Sequence, residues 1–299
     1  MEKIKLYPDH RAKDNIIKIL SQCQSAGLRT SEIYQDFLDI AHDTLVMLPA
    51  HAASLVKDKV LSQDTPEIAE RFARLKKRYG DPRYFGYFQQ AFNVLVKSAD
   101  DGWEDVIGDV YMEFGNPNSH SGQFFTPWHV SALMAQITMS DDIVWKHLED
   151  AYRKSAVGRM HALVGGEERI SAFVRELGPG VLNVIDIEQF EPVTVCDPAV
   201  GSGVMLLAIA SVLPVWMHSL VKFYGMDIDQ QCVTMCRVNM MLHGLNGFGI
   251  KCALALSGAE LAALPEPYAD AYSEAQVATP ERLIEITSEV KSWKQNALI

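Results

Sequence analysis

The spacing of apolar residues predicts helices through the first part of the chain. Between residues 14 and 114 apolar side chains recur every three to four positions, which is the period of an amphipathic helix. One stripe follows a capping Thr30 or Ser31 and is expected to stop at Pro49. A second stripe consists of Trp103, Val106, Ile107, Val110, Tyr111 and Phe114. We therefore predict an all-helical domain over residues 1–115.

Further helices are predicted between residues 127 and 180. Pro127 is expected to begin a helix whose apolar positions are Val130, Leu133, Met134 and Ile137. A charged helical segment follows from residue 141, and Gly178-Pro179-Gly180 ends it. Residues of about 141–180 thus form a helical insert in a second domain that covers residues 116–299.

From Glu191 onward the pattern changes to strands that alternate with helices. Three short β-rich or apolar runs are candidate strands: residues 193–196, 220–225 and 250–256. The segment 204–210, after the first run, is apolar on all sides, as in a helix that covers a sheet. This alternation predicts an α/β fold with a partial, doubly wound (Rossmann-like) parallel sheet over residues 191–256. A C-terminal helix is expected at about 280–299.

Charge narrows the classes of partner. The chain has 299 residues and a formal net charge of −11, whereas a protein that holds DNA by itself usually presents a basic surface. The one dense basic stretch lies between Arg71 and Arg83 and is interleaved with aromatic residues. We interpret it as the solvated end of a helix, where basic residues suit the dipole. A DNA contact is the alternative.

The cysteines and the hydropathy pattern limit other classes. Five cysteines are an odd number, which favours reduced thiols. Cys232 and Cys236 could share a helix face, but no second pair of ligands stands at metal-binding spacing, so no metal site is expected. No apolar run is long enough to span a membrane, and the charged N-terminus lacks a signal-peptide pattern. We expect a cytoplasmic protein without a membrane segment.

The first candidate site is the segment Asp197-Pro198-Ala199-Val200-Gly201-Ser202-Gly203. It follows the first predicted strand, where glycines let the backbone bend sharply and the next helix offers N–H groups to an anion. Asp197 is placed to accept a hydrogen bond from a ligand ammonium group. The turn alone suits several nucleotides. A dinucleotide is disfavoured because Leu206 stands where that fingerprint needs a third glycine.

The second candidate is Asp227, which ends the second predicted strand in Gly225-Met226-Asp227. In doubly wound folds an acidic residue at this place, about twenty residues beyond the glycines, accepts hydrogen bonds from ribose hydroxyls. The alternative is that Asp227 or Asp229 only caps the following helix. We interpret Asp229 as the cap and Asp227 as the ligand-binding residue.

Four motifs, taken in order, resemble a known family. They are Gly122-Gln123-Phe124-Phe125-Thr126-Pro127, the two segments just described, and Cys236-Arg237-Val238-Asn239-Met240-Met241-Leu242-His243-Gly244. Together they resemble the modification subunit of type I restriction systems, within the N6-adenine DNA methyltransferases. The segment from Asp105 to Tyr111 is similar to the family as well. The resemblance covers about residues 100–250.

This resemblance implies S-adenosylmethionine as the cofactor and DNA as a partner. The loop from Gly122 to Pro127 would fold over the methionine end of the cofactor. Asp197 and the turn residues Gly201, Ser202 and Gly203 would hold its amino and carboxylate groups, and Asp227 would hold its ribose. Asn239 and Gly244 match family positions that we interpret as packing.

The catalytic motif of the family is missing from the sequence. The family has Asn-Pro-Pro followed by Tyr or Phe after its fourth strand, where it accepts hydrogen bonds from a flipped adenine and stacks on that base. No Pro-Pro occurs in the chain, and no acidic residue ends the third predicted strand. The nearest relative, Asp81-Pro82-Arg83-Tyr84, follows a charged helical segment and not a strand. We therefore assign no catalytic residue and interpret the chain as a truncated or degenerate member.

Three functions stay open at this point. The chain is a divergent methyltransferase subunit that needs another chain to act, a non-catalytic cofactor sensor or structural partner in a restriction-modification or mobile-element system, or an unrelated nucleotide-binding protein. A sheet of three strands has an open edge, which a partner subunit or a second copy is expected to cover.

Overall fold

The structure is a computed structural model, and it describes residues 12–115, 125–166, 169–186, 190–245 and 247–251. The predicted C-terminal helix and the end of the third predicted strand lie outside these residues. Contacts group the described residues into two units. The helical unit lies within Met1–Trp128, Val200–Leu207 and Asp229–Gly244. The sheet unit lies within His129–Ala199, Ala208–Ile228 and Leu245–Ile299. The predicted domain boundary between residues 115 and 116 stays a prediction, because grouping residues by their contacts does not test whether each part folds independently.

The helical unit begins with a series of helices, as predicted. These are α1 (Ala12–Leu20), α2 (Thr30–Asp58), α3 (Pro66–Tyr79), α4 (Arg83–Asp101) and α5 (Val106–Val110). A 3₁₀ helix, Ser21–Ala26, follows α1, and a π turn, Tyr111–Gly115, continues α5. The prediction of helices between residues 14 and 114 is confirmed for the described residues.

A later helix, α11 (Gln230–Leu242), completes the core of the helical unit. Its Cys232, Met235 and Val238 are buried in the same cluster as residues of the N-terminal helices. Those residues include Ile16, Ile19, Leu20, Ile33, Tyr34, Phe37, Phe88 and Ile107. Full burial of an apolar side chain of this size stabilises a fold by about 1.5–3 kcal/mol. The core therefore joins residues that are about two hundred positions apart in sequence.

The predicted end of α2 at Pro49 is wrong, since the helix continues through this residue to Asp58. The predicted cap is also displaced by one residue: Arg29 is the N-cap, and its N–H donates to the Glu32 carboxylate at 3.0 Å. Proline removes one helical hydrogen bond and crowds the carbonyl four residues earlier. Pro49 itself is exposed, so its ring lies toward solvent and not in the packed core, and the helix continues.

The basic stretch occupies the end of α3 and the start of α4. Four of its arginines lie within 4.0 Å of carboxylates: Arg71 of Asp43, Arg74 of Glu70, Arg78 of Asp36, and Arg83 of Asp81. Tyr79, Tyr84 and Phe88, which belong to the same stretch, are buried. These pairs and the burial of the rings favour the helix-end interpretation over a DNA contact.

The sheet unit has four helices before its strands. They are α6 (Trp128–Thr138, whose first residue belongs to the helical unit), α7 (Asp141–Lys154), α8 (Ala156–Gly165) and α9 (Ile170–Leu177). A 3₁₀ segment, Gly178–Asn183, ends this series at the predicted breaker. The predicted helices after Pro127 and within the insert are confirmed.

In the described residues, the sheet has three parallel strands in the order β1-β2-β3. They are β1 (Val193–Asp197), β2 (Val221–Asp227) and β3 (Gly247–Lys251), with α10 (Val204–Ser211) after β1. The α/β class with a small parallel sheet is confirmed. The third predicted strand starts three residues earlier than expected, because the glycines at 247 and 249 pair with β2.

Helix α6 exposes the apolar stripe that the sequence predicted. Val130, Leu133, Met134 and Ile137 are 38%, 58%, 44% and 76% exposed, whereas Ser131 and Ala135 are buried. The period of a sequence identifies an apolar face but does not specify what covers it. In the part of the chain that the structure describes, no helix is both long and apolar enough to cross a membrane.

Candidate functional site

The glycine segment forms a tight turn directly after β1. The Gly203 N–H donates to the carbonyl oxygen of Val200 at 2.8 Å. Gly201 has φ of +54° and Gly203 has φ of +94°. Residues with a side chain are strained in this region, whereas glycine is not. The sharp bend inferred from the glycines is therefore present.

Neither glycine of this turn has room for a side chain. A Cβ on Gly201 would lie 3.1 Å from the Phe125 ring, and a Cβ on Gly203 would lie 3.2 Å from the Cα atom of Cys236 on α11. Phe125 also stacks on Tyr111, with ring centroids 5.4 Å apart. The aromatic end of the predicted cofactor loop is thus held against the turn.

The rest of that loop is described only in part. Thr126 and Pro127 are exposed and lead into α6. Gly122, Gln123 and Phe124 lie outside the described residues, and their assignment to the cofactor stays a prediction.

The Ser202 side chain is buried inside the helical unit. Its hydroxyl donates to Oδ2 of Asp105, and Oδ1 of Asp105 accepts from Asn239 Nδ2 at 2.8 Å and from the Gly108 N–H at 2.9 Å. Asn239 Nδ2 also donates to the Ser202 carbonyl at 2.8 Å. Because the hydroxyl is used in this way, any contact of Ser202 with a cofactor would come from its backbone.

The Asp105 carboxylate is buried, and among the described residues its hydrogen-bond donors are all uncharged. Asp105, Ser202 and Asn239 are 5%, 1% and 2% exposed. Burial raises the pKa of Asp105, and the hydrogen bonds from Ser202, Gly108 and Asn239 partly offset this rise. Desolvation and the nearby Asp105 charge raise the pKa of Asp109 to about 6. The sequence did not single out Asp105 for the site, although an Asp at a helix start with Gly108 three positions later is a capping signal.

In the sheet unit, the two predicted acidic residues lie at the carboxyl ends of neighbouring strands. Asp197 ends β1 opposite Gly225 of β2, and Asp227 ends β2 two residues further on. Oδ1 of Asp197 accepts from the Ala199 N–H at 3.0 Å, which fixes the carboxylate at the end of β1. In doubly wound folds, ligands bind at this edge of the sheet.

Asp229 is the N-cap of α11. Its Oδ1 accepts from the Gln231 N–H at 2.8 Å. The interpretation of Asp229 as the cap is confirmed, and Asp227 is not needed for that purpose. Gly244, with φ of +63°, follows the end of the same helix.

The nearest relative of the catalytic motif lies between two helices. Asp81 and Pro82 connect α3 to α4, and Oδ1 of Asp81 accepts from the Arg83 N–H at 2.8 Å. Tyr84 is only 4% exposed, so its ring is not available to stack on a base. The structure gives no support for a catalytic segment at these positions.

The cysteine pair of α11 is packed in the interior. Cys232 and Cys236 are fully buried, and Sγ of Cys236 lies 3.6 Å from Sδ of Met240. Within the described ranges, no three His, Cys, Asp or Glu side chains are grouped as metal ligands.

Comparisons with known proteins agree with the motifs. Residues 180–262 match the family model described as N-6 DNA Methylase. The matched range contains the turn, Asp227 and Asn239, but not Asp105 or the loop from Gly122 to Pro127.

A curated relative points to a narrower group. The type I restriction enzyme MpnII methylase subunit of Mycoplasma pneumoniae (strain ATCC 29342 / M129 / Subtype 1) is 27% identical over 147 residues. The match covers 48% of this chain and 18% of that subunit, so the chain spans less than a fifth of its relative's length. No solved structure matches the chain significantly. The resemblance of this chain to the N6-adenine DNA methyltransferase family, and to the methylase subunits of type I restriction enzymes, is confirmed.

Proposed function

We propose that this chain binds S-adenosylmethionine and serves N6-adenine DNA methylation in a restriction-modification or mobile-element system. The observation that carries the proposal is the tight turn from Val200 to Gly203, at the end of β1 and within the residues that match the family. The parallel order β1-β2-β3, with helices after the first two strands, supports a doubly wound, Rossmann-like sheet.

The chemistry of the residues fits this cofactor. S-adenosylmethionine presents a carboxylate, an ammonium group and two ribose hydroxyls. Gly201 and Gly203 give the turn its conformation, and the N-terminus of α10 follows them, where backbone N–H groups suit a carboxylate. Asp197 would accept from the ammonium group and Asp227 from the ribose hydroxyls. When bound, the cofactor supplies the methyl group.

None of the residues assigned above would bind the adenine base. The 299 residues contain no Asn-Pro-Pro segment, and the three described strands are fewer than the family's sheet of about seven. We infer that residues outside this sequence, in a partner subunit, hold the adenine. The net charge of −11 agrees with a chain that does not hold DNA alone.

Two surfaces of the sheet unit support a protein partner. Among the described residues, no strand pairs with the outer edge of β1. Helix α6 exposes an apolar face, including Leu133 and Ile137. Open strand edges and exposed apolar faces are the surfaces that soluble proteins normally cover.

A non-catalytic cofactor sensor is the second candidate function. The missing Pro-Pro motif favours it, because the cofactor turn is kept while the base-binding segment is not seen. A sensor would bind the cofactor without any methyl transfer, whichever partner is present.

Calorimetry with S-adenosylmethionine tests the binding proposal. We expect wild-type protein to bind at one site and Asp227→Ala to bind about 30-fold more weakly, because two charge-assisted hydrogen bonds are lost. Asp227→Asn keeps one acceptor and should lie between them. Asp150→Ala, which removes an exposed carboxylate on α7, is the control and should bind as wild type. The absence of binding heat from wild-type protein would refute the proposal.

A methyl-transfer assay distinguishes the two candidate functions, a methyltransferase subunit and a non-catalytic cofactor sensor. With radiolabelled cofactor and adenine-containing DNA, we expect no turnover by this chain alone, since no adenine-binding motif is present. Adding a partner chain that carries Asn-Pro-Pro-Tyr after a strand should restore transfer if the chain is a methyltransferase subunit. Turnover by the isolated chain would show that the missing motif was misread.

A further inference from the structure

We propose that Asp105, acting together with Asn239, is a positioning residue that holds the cofactor turn in its binding conformation. The inference rests on the proposed function, because it assigns the turn from Val200 to Gly203 to the cofactor. Neither residue belongs to the predicted binding set, and Asp105 lies outside the residues that match the family model.

The hydrogen bonds of Asp105 exceed what a helix cap requires. Capping α5 needs a single acceptor for the Gly108 N–H, and a serine would supply it without burying a charge. Asp105 instead uses both oxygens, one toward Ser202 and the other toward Asn239 and Gly108. A carboxylate is the side chain that presents acceptors on both sides. We therefore attribute the presence of a buried carboxylate at position 105 to its hydrogen bond with Ser202 of the turn.

Asn239 also binds Ser202 of the turn. Its Nδ2 lies 2.8 Å from both Oδ1 of Asp105 and the Ser202 carbonyl oxygen. Ser202 is therefore bound through its hydroxyl and through its backbone. Because Ser202 is held through its hydroxyl and its carbonyl oxygen, the neighbouring Gly201 and Gly203, with their positive φ angles, are restrained as well.

The neighbouring backbone is shaped for this contact. A Cβ on Gly108 would lie 2.8 Å from the Ser202 hydroxyl oxygen and still closer to the Asp105 carboxylate. Only glycine allows the start of α5 to approach the turn this closely. The segment from Asp105 to Tyr111 is thus tied to the turn by packing as well as by hydrogen bonds.

The consequence is that cofactor affinity depends on residues of the N-terminal helices. Asp105 precedes Ser202 by 97 positions, and Asn239 follows Asp105 by 134. Binding free energy is needed to order a loose turn, so a turn that is held in advance binds its ligand more tightly. Loss of the hydrogen bonds that Asp105 and Asn239 make with Ser202 should therefore weaken cofactor binding even in a variant that stays folded.

Three variants and one control test the proposal by calorimetry with S-adenosylmethionine. We expect Asp105→Ala to bind about 30-fold more weakly than wild type and Ser202→Ala about tenfold more weakly. Asp105→Asn should lose only about threefold, because its amide oxygen still accepts from Gly108 and Asn239 while its NH₂ donates to Ser202. Glu104→Gln, the adjacent exposed position, should stay within about twofold of wild type.

Hydrogen exchange supplies a readout that does not need the cofactor. Backbone amides of residues 199–206 should exchange faster in Asp105→Ala than in Glu104→Gln, while those of the core of α2 stay protected. If Asp105→Ala does not fold, Ser202→Ala carries the test alone. Unchanged exchange in the turn, or lowered thermal stability with unchanged affinity, would reduce Asp105 to a helix cap and overturn the proposal. Faster exchange in a protein that never binds S-adenosylmethionine would support the positioning and reject the proposed function.

Discussion

Replacing Gly203 by alanine is expected to lower the free energy of unfolding by about 3 kcal/mol and to abolish binding of S-adenosylmethionine. At φ of +94°, a residue with a Cβ is strained by about 1–2 kcal/mol. The new methyl group would also lie 3.1 Å from Sγ and 3.2 Å from Cα of Cys236. The backbone of α11 cannot yield, because Cys232 and Met235 are fixed in the core, so the turn would have to move and crowding would add about 1–2 kcal/mol.

Gly244→Ala is the matched control for this variant. Gly244 also has a positive φ, +63°, but among the described residues no atom lies within 4 Å of the position that its new methyl group would take. It should therefore show only the backbone strain, about 1–2 kcal/mol, and normal cofactor binding. Chemical denaturation and calorimetry measure both effects. Equal destabilisation at the two positions, or normal binding by Gly203→Ala, would contradict the prediction.

Replacing Arg78 by alanine is expected to cost about 2–3 kcal/mol of stability at neutral pH. Nη1 of Arg78 donates to both oxygens of Asp36 at 2.8 and 2.9 Å, and the Tyr79 hydroxyl donates to Oδ2 at 2.8 Å. Asp36 is only 4% exposed, so the variant leaves a buried carboxylate without its cation. The partial exposure of Arg78 places the cost below that of a fully buried pair.

The stability that Arg78→Ala loses should become smaller as the pH is lowered. Burial raises the pKa of Asp36, and the hydrogen bonds from Tyr79 and Arg78 partly offset it. Without Arg78 the folded-state pKa rises further above the unfolded value. A raised carboxyl pKa means that stability falls as pH rises through it, so the difference from wild type should be largest at neutral pH and shrink toward about pH 4, the ordinary pKa of the carboxyl group.

Arg74→Ala is the control on the same helix. Arg74 lies 3.3 Å from Glu70, and both side chains are more than two-thirds exposed, so its removal should cost less than about 0.5 kcal/mol. Denaturant unfolding at several pH values measures all three proteins. A loss for Arg78→Ala that does not change with pH would show that the Asp36 charge is not its cause.

Local chemistry made part of this molecule predictable. The apolar period gives the helices of the N-terminal region, because an amphipathic helix records its buried face in consecutive turns. Gly201 and Gly203 were informative because positive φ angles leave few alternatives to glycine. Asp229 was recognisable as a cap because capping involves neighbours in sequence.

Non-local contacts could not be inferred in the same way. The contact of Asp105 with Ser202 and Asn239 joins three distant segments, and no spacing rule connects them. Pro49 does not end its helix, because the cost of a proline depends on the surroundings of its ring, and this ring is exposed. The cap at Asp229 indicated that a helix follows, but not which core would receive α11.

The place of α11 in the helical core has a consequence for synthesis on the ribosome. The core side chains of α2 and α4 are complete early, yet Cys232, Met235 and Val238, which share their cluster, follow more than a hundred residues later. At usual elongation rates this interval lasts on the order of 10 s. During this interval, the apolar surface that packs against α11 in the folded protein is left uncovered. We therefore expect the N-terminal helices to be prone to non-native association until residue 242 has left the exit tunnel.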